Sequence, residues 1–216
     1  MKEDNMRREE QKEKICYVVG AGENYGIDFT VQEGDYVIAA DGGGKYLEEA
    51  KIMPNLIIGD FDSLQEKPKH TNVITLSKDK DETDTFAAIK QGIDRGYKIF
   101  CLHGCTGGRI DHTLANIQIL AYLAQHAMQG FLFDKKNVIT TITDTTFIPP
   151  KYEKGYLSVF SYSKKSKGVS LKGLKYELDK EILRSDNPIG VSNEFIGEAS
   201  MITVECGTLV IVYPRE

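Results

Sequence analysis

The 216-residue chain contains no tryptophan, only four cysteines and six prolines, and no uninterrupted apolar run approaching about twenty residues. Without such a run we expect no membrane-spanning helix, and the few scattered cysteines argue against a disulfide framework. Lys and Arg number 27 against 32 Asp and Glu, which gives a formal net charge of -5. This balance, without a long basic patch, argues against non-specific binding to nucleic acid. We therefore expect a soluble globular protein that binds neither membrane nor nucleic acid.

Residues 1–14 form a charged segment in which basic and acidic side chains alternate and almost nothing is apolar. The segment lacks the apolar core of a secretion signal and the acid-poor composition of a transit peptide. We therefore predict a solvated tail and a cytoplasmic protein.

The four cysteines are predicted to be reduced and mostly structural. Cys16, Cys101 and Cys206 lie in apolar runs, and Cys105 lies in a glycine-rich turn. A zinc site made of Cys101, His103 and Cys105 is an alternative, but it lacks the second pair of ligands that structural zinc sites use.

From residue 15 to residue 136, short apolar runs alternate with amphipathic stretches. Six runs have the nearly continuous hydrophobicity of buried parallel strands: ICYVVG, YVIAAD, NLIIGD, NVITL, KIFCLHG and GFLFD. The pattern predicts an α/β domain, with a mostly parallel sheet covered by helices on both faces. Residues 137–216 instead show β-branched, alternating segments separated by turn residues, which predict an all-β domain built as an antiparallel sandwich or barrel.

Two helices of the first domain can be placed from the sequence. One begins near Thr83, buries Phe86, Ile89 and Ile93 at helical spacing, and ends at Gly96. The other follows the segment GCTGGR, and its predicted apolar face consists of Ile110, Leu114, Ile117, Ala121 and Ala124.

Acidic residues recur where the predicted strands of the first domain end. They are Asp41, Asp60, Asp62, Asp81, Asp84 and Asp111. In an open α/β sheet, ligands bind beyond the carboxyl ends of the strands, so these side chains are candidates for one site. Two like charges about 4 Å apart repel by roughly 4 kcal/mol at an effective dielectric near 20, and carboxylate oxygens suit a hard cation. The pattern favours a magnesium site.

Two of these acidic pairs also have structural interpretations. If the strand continues, Asp60 and Asp62 lie on one side and can share a metal, but Asp62 can equally belong to a capping turn. Asp81 and Asp84 are predicted on one face of the first helical turn, where acids also favour the helix dipole and Thr83 can cap the helix.

Two glycine-rich segments can bring backbone amides close to phosphate oxygens. Gly42 to Gly44 follow Asp41, although such a triplet can equally serve a tight turn. Thr106, Gly107, Gly108 and Arg109 join a predicted strand to a helix. There Arg109 can bind phosphate with both guanidinium nitrogens, or can pair with Asp111 instead.

Taken in order, the segments DGGGK, GDFDS, KDETD and GGRIDHTLAN resemble those of the bacterial type of thiamine pyrophosphokinase. The similarity extends into the second half, through GLKYEL and GVSNEF, so it covers nearly everything after the charged tail. Each motif is weak alone, whereas the ordered set is specific.

The resemblance implies transfer of the pyrophosphoryl group of ATP to the hydroxyl of thiamine, an α/β domain followed by a β-sandwich, and a homodimer with active clefts between subunits. Residues that would gather Mg²⁺ and phosphates are Asp60, Asp62, Asp81, Asp84 and Asp111. The nucleotide side would add Asp41, Gly42, Gly43, Lys80, Thr106, Gly107, Gly108 and Arg109. Ser192 and Asn193 would hold thiamine, and Tyr or Phe side chains such as Phe195 would replace the tryptophan that some members place beside it.

Two other functions remain open at this point. Asp-Phe-Asp after a buried strand also resembles the nucleophile loop of haloacid-dehalogenase-type phosphatases, which would make the protein a magnesium-dependent phosphohydrolase. A non-catalytic nucleotide sensor would bind ATP and magnesium without turnover.

Overall fold

The computed structural model describes residues 13–61, 70–77, 79 and 81–215. Residues 1–12 of the predicted tail, Asp62 and Lys80 therefore lie outside the described residues. The α/β half consists of β1 (Ile15–Val19), β2 (Tyr36–Ala40), α1 (Gly43–Glu49), β3 (Leu56–Gly59), β4 (Val73–Thr75), α2 (Asp84–Asp94), β5 (Ile99–His103), α3 (Ile110–Gln125) and β6 (Gln129–Phe133). All six predicted strands of this half are present.

The remaining elements are all strands, as the alternating pattern predicts. They are β7 (Asn137–Thr143), β8 (Thr146–Phe147), β9 (Tyr156–Ser161), β10 (Lys165–Lys172), β11 (Leu178–Arg184), β12 (Asn193–Glu194), β13 (Met201–Thr203) and β14 (Thr208–Pro214).

Ten strands form one sheet in the order β12-β9-β14-β7-β6-β5-β1-β2-β3-β4. The six strands from β6 to β4 are parallel, and the strands from β7 to β12 are antiparallel. Because β6 pairs with β7, the sheet continues through residues 134–137. The predicted domain boundary after residue 136 therefore falls within a continuous sheet, and it stays a prediction.

Alternate residues of the parallel strands enter opposite hydrophobic cores. Cys16 and Val18 point to the core that α2 and α3 cover, whereas Tyr17 and Val19 point to the core that contains Leu47 of α1. Helices therefore cover both faces, as predicted. A third core lies between the antiparallel part of the large sheet and the four-stranded sheet β11-β10-β13-β8, which makes the second half a sandwich.

The predicted apolar face of α3 is wrong in its first two turns. Ile110 is 71% exposed and Leu114 is 57% exposed, whereas the buried side chains include Asn116, Ile119 and Leu123. The helix carries apolar residues on more than one side, and its packing against β6, β7 and α2 determines which side is buried. Periodicity alone could not make that choice. Among the residues that the structure describes, no helix is long and apolar enough to cross a membrane.

Candidate active site

Three predicted site residues meet at the carboxyl edge of the parallel strands. Asp41 follows β2, Asp60 follows β3, and Asp84 is the first residue of α2. One carboxylate oxygen from each lies within 4.8 Å of the other two, and all three side chains are partly buried. Within the described parts of the chain, no other group of three His, Cys, Asp or Glu side chains comes as close together.

The backbone on both sides of this cluster is unusual. Asp41 has φ of 51°, and its amide donates to the Ile58 carbonyl at 2.8 Å. Phe61 has φ of 57° and is 5% exposed, a conformation that is rare for a bulky residue. The condition under which Asp60 and Asp62 would lie on one side, continuation of the strand, is not met at Phe61, because β3 ends at Gly59 and Phe61 has positive φ. Strained backbone of this kind is concentrated at functional sites.

Asp81 and Asp84 do not share a helical turn, contrary to prediction. The N-cap of α2 is Thr83, whose hydroxyl accepts a hydrogen bond from the Phe86 amide at 3.2 Å. The helix therefore begins after Asp81, which is exposed and lies outside the carboxylate cluster. Thr83 has the capping role that the sequence left open, while Asp84 occupies the first turn, where an acid favours the helix dipole.

Arg109 and Asp111 pair with each other, the alternative that helical geometry disfavours. Arg109 Nη2 lies 2.5 Å from Asp111 Oδ2, and Nε donates to Oδ1 at 3.2 Å. The pairing is possible because Arg109 is the extended N-cap of α3 rather than a helical residue. The hydrogen bond from Arg109 lowers the pKa of the Asp111 carboxyl. Both side chains are exposed, and Asp111 does not join the cluster of Asp41, Asp60 and Asp84.

The glycine triplet begins a helix rather than an isolated turn. Gly42 is the N-cap of α1 and Gly43 its first residue. A Cβ atom on Gly43 would lie 1.9 Å from the Val19 carbonyl oxygen, so this position requires glycine for close packing against the end of β1. Phosphate contact by Gly42 and Gly43 stays a prediction.

The loop after β5 contains the other predicted nucleotide-binding residues. Thr106 is buried and its hydroxyl donates to Asp134 Oδ1 at 2.8 Å. Gly107 and Gly108 have φ of 79° and 59°, in the left-handed region that glycine tolerates. Asn116 of α3 is buried, and its side chain donates to the Cys105 carbonyl at 2.7 Å.

A second loop, not predicted from the sequence, lies at this edge. Residues 20–24 follow β1, and the amides of Gly20, Gly22 and Glu23 bind the carbonyls of His103, Gly104 and Thr106 at 2.7 to 2.9 Å. A Cβ on Gly22 would lie 2.5 Å from the Thr106 oxygen. The signal was available in the sequence, because Gly-Ala-Gly follows a buried strand and precedes an acidic residue.

The zinc alternative is wrong for the described residues. Cys101 lies in the core beside α1, whereas Cys105 lies in the core on the other face of the sheet. Burial raises the pKa of both thiols to about 12, which is typical of structural cysteines rather than reactive ones. His103 stacks on Phe133, with ring centroids 4.4 Å apart.

Ser192 and Asn193 lie at the far end of the large sheet. Asn193 is buried, and its side chain accepts from the amides of Tyr176 and Glu194 and donates to the Tyr176 carbonyl, at 2.7 to 3.0 Å. Ser192 is exposed with φ of 60°. The turn therefore uses Asn193 for support and presents Ser192 to solvent. Phe195 is buried against Tyr152, with ring centroids 4.9 Å apart.

Comparison with known proteins identifies relatives of this fold. Residues 28–132 match the family model described as "Thiamin pyrophosphokinase, catalytic domain", and residues 144–211 match "Thiamin pyrophosphokinase, vitamin B1 binding domain". A curated thiamine pyrophosphokinase from Bacillus subtilis (strain 168) is 28% identical over 207 residues, which cover 92% of this chain and 97% of that protein.

Solved structures agree with these matches. A crystal structure of thiamine pyrophosphokinase from Bacillus subtilis has a TM-score of 0.84 at 28% identity, covering 94% of this chain and 99% of that chain. One from Geobacillus thermodenitrificans has a TM-score of 0.81 at 26% identity, covering 94% and 98%. These matches leave the phosphohydrolase and the nucleotide sensor without support. The chain belongs to the thiamine pyrophosphokinase family.

Proposed function

We propose that this chain transfers the pyrophosphoryl group of ATP to the hydroxyl of thiamine, producing thiamine diphosphate and AMP. The single observation that carries the proposal is the meeting of Asp41, Asp60 and Asp84 at the carboxyl edge of the sheet. This edge is where α/β sheets bind their ligands, and the proposal places the triphosphate of ATP there. We also expect the enzyme to be cytoplasmic.

The donor set fits magnesium. Oxygen ligands about 2.1 Å from one ion lie at most about 4.2 Å apart. The oxygens of Asp41, Asp60 and Asp84 lie within 4.8 Å of one another, so small side-chain rotations bring them into that range. All three donors are carboxylate oxygens, which a hard cation prefers. Bound magnesium would neutralise the phosphate charge that develops during transfer.

Other predicted residues would position the substrates. Arg109 lies at the start of α3 beside Gly107 and Gly108, where its exposed guanidinium can turn from Asp111 to a phosphate. Asp81 and Asp111 do not belong to the cluster in this structure. Their proposed role at the metal therefore requires that they approach the cluster when the nucleotide binds. Asp62 and Lys80, outside the described residues, stay predicted participants. A loose transition state requires positioning and charge neutralisation rather than a strong base.

The thiamine side of the site requires a second copy of the chain. Seven strand-to-strand steps separate β12, which begins at Asn193, from β2, which precedes Asp41. At about 4.8 Å a step, this separation is about 34 Å along the sheet, longer than the two substrates can bridge at their reacting ends. We therefore propose a homodimer in which Ser192, supported by Asn193, faces the carboxylate cluster of the partner.

Mixing two inactive variants tests this arrangement. Asp84→Asn damages the cluster, and Ser192→Arg blocks the turn. In a random mixture, half of the dimers pair one variant with the other, and each such dimer has one intact composite site. We expect activity to return to about a quarter of the wild-type value. Absence of recovery, when native mass spectrometry shows that mixed dimers form, would place the whole site within one chain.

Product analysis tests the reaction itself. Purified protein incubated with thiamine, ATP and magnesium should yield AMP and thiamine diphosphate in equal amounts. Formation of ADP would indicate transfer of a single phosphoryl group. Release of inorganic phosphate through an aspartyl-phosphate would indicate a phosphohydrolase.

A further inference from the structure

Glu23, in the loop after β1, makes three hydrogen bonds. Two of them join it to the loop between β5 and α3, and the third joins it to Tyr25 of its own loop. Its amide donates to the Thr106 carbonyl at 2.9 Å, and its Oε1 accepts from the Gly108 amide at 3.2 Å. Its Oε2 accepts from the Tyr25 hydroxyl at 2.9 Å. Residues 85 positions apart in the sequence are thus joined beside Arg109.

The loop that Glu23 contacts requires restraint. Gly104, Gly107 and Gly108 all have positive φ, between 59° and 79°. Glycine loses more conformational freedom on folding than any other residue, so three glycines in five positions give this loop many alternative shapes. Arg109 follows directly, and its direction depends on the shape of the loop.

Tyr25 limits the movement of Glu23 in turn. A Cβ on Gly107 would lie 2.7 Å from both Glu23 Cγ and the Tyr25 hydroxyl oxygen, so these two side chains pack directly against the loop. Desolvation, followed by the hydrogen bond to Glu23, raises the pKa of the Tyr25 phenol, which keeps it a hydrogen-bond donor. The carboxylate is therefore held on one side by Tyr25 and on the other by Gly108.

We propose that Glu23 is a positioning residue for ATP, which acts by fixing the loop of Gly107, Gly108 and Arg109 rather than by touching the reacting atoms. This inference rests on the proposed function, in which that loop receives the nucleotide. A contrary interpretation predicts the opposite change in the Kd for ATP. If the Glu23 carboxylate merely occupies the place of a phosphate at the Gly108 amide, its removal should strengthen ATP binding, because the repulsion and the competition disappear.

Direct binding of ATP with magnesium, measured by calorimetry without thiamine, distinguishes the two interpretations. We expect Glu23→Ala to raise the Kd for ATP about tenfold, the size of effect that loss of a hydrogen bond to a charged group produces. Glu23→Gln should stay within about threefold of wild type, because the amide oxygen still accepts from Gly108. Tyr25→Phe should give a smaller increase than Glu23→Ala.

The matched control is Glu33→Ala, which removes an exposed carboxylate from the same β1–β2 connection. It should leave the Kd unchanged. In steady-state assays, Glu23→Ala should raise the KM for ATP with little change in the KM for thiamine, a split that a general loss of stability would not produce.

An unchanged or lower Kd in Glu23→Ala would overturn the inference, as would equal losses in Glu23→Ala and Glu23→Gln. A wild-type protein that fails to bind ATP would overturn it too. Failure of the proposed function looks different: wild-type protein would bind ATP yet form no AMP with thiamine, while the expected order of the Kd values of wild type and the four variants would still hold.

Discussion

Three carboxylates meet at the carboxyl edge of the parallel strands, whereas the buried Asn193 side chain in the antiparallel half binds the backbone. Asp41, Asp60 and Asp84 come within 4.8 Å of each other. At the other end of the same sheet, all three hydrogen bonds of the Asn193 side chain go to main-chain atoms. Like charges at an edge favour a cationic ligand, while an amide bonded to the backbone stabilises a turn.

Two buried serines of the sandwich also contact the backbone, and they contact each other. Ser161 Oγ lies 2.6 Å from the Ser163 carbonyl oxygen, Ser166 Oγ lies 3.0 Å from the Thr208 carbonyl oxygen, and the two hydroxyl oxygens lie 2.8 Å apart. Mutations should therefore separate the two regions. Changes at the parallel edge should reduce activity with little loss of stability, and changes to these polar groups of the sandwich should reduce stability first.

Asp84→Asn gives the largest expected effect. The substitution preserves size but removes one ionised ligand, so we expect kcat to fall at least about 100-fold, a loss comparable with removal of one group that stabilises the transition state. The free energy of unfolding should change by less than about 0.5 kcal/mol, because the relief of repulsion among three adjacent like charges offsets the loss of a favourable charge at the start of α2. Steady-state assays and urea unfolding measure the two quantities.

Asp94→Asn is the matched control, since Asp94 is an exposed acid in the last turn of the same helix. It should retain wild-type kcat. Equal turnover in wild type and Asp84→Asn would refute the metal site. A large loss of stability in Asp84→Asn would contradict the comparison, because the parallel edge would then be structural.

Asn193→Ala should show the opposite behaviour. Truncation leaves the Tyr176 amide and carbonyl without their partners at a part-buried position, so we expect the free energy of unfolding to fall by about 1 to 2 kcal/mol. Ser192→Ala is the comparison variant, because the Ser192 hydroxyl makes no hydrogen bond to any described residue and its loss should cost under about 0.5 kcal/mol. Urea unfolding midpoints measure both. If Ser192→Ala proves as unstable as Asn193→Ala, the turn does not depend on the amide.

Much of the fold could be predicted because each strand of the parallel half has a recognisable local sequence pattern. The run at Leu56–Gly59 is apolar and ends in acids, and it forms β3 as expected. The joining of the two halves into one sheet could not be predicted, because the pairing of β6 with β7 depends on register rather than on composition. The buried side of α3 was missed for a similar reason, since only tertiary packing selects among its apolar faces.

The sequence predicts which types of residue form the candidate site, but not which of the candidate residues come together. Acids at strand ends identify candidates, and sequence order predicts that Asp41 and Asp60 lie on neighbouring strands. One local feature then changes the described part of the set. The helix α2 begins one residue after Thr83, which leaves Asp81 outside the cluster. Single-residue backbone conformations of this kind leave no periodic signal.

His103 is a polar residue of the parallel half that packs as a core residue. It is 3% exposed, stacks on Phe133, and has Nδ1 3.9 Å from Asp28. Desolvation lowers its pKa from 6.5 to about 4, with Arg215 adding to the shift and Asp28 opposing it. The unfolded chain therefore binds a proton at a higher pH than the folded chain does.

The contribution of His103 to stability should accordingly be complete above about pH 7 and should decrease as the pH falls from about 6.5 toward 4. We expect a loss of about 2 kcal/mol between pH 7 and pH 5. His103→Phe keeps an aromatic ring against Phe133 and removes the titration, so its free energy of unfolding should change less over that interval. Urea unfolding of both proteins at the two pH values measures the difference. Equal losses of stability in the two proteins would mean that other groups cause the pH dependence. A fall in the kcat of His103→Phe at pH 7, with stability retained, would mean that His103 acts in the reaction rather than as a core residue.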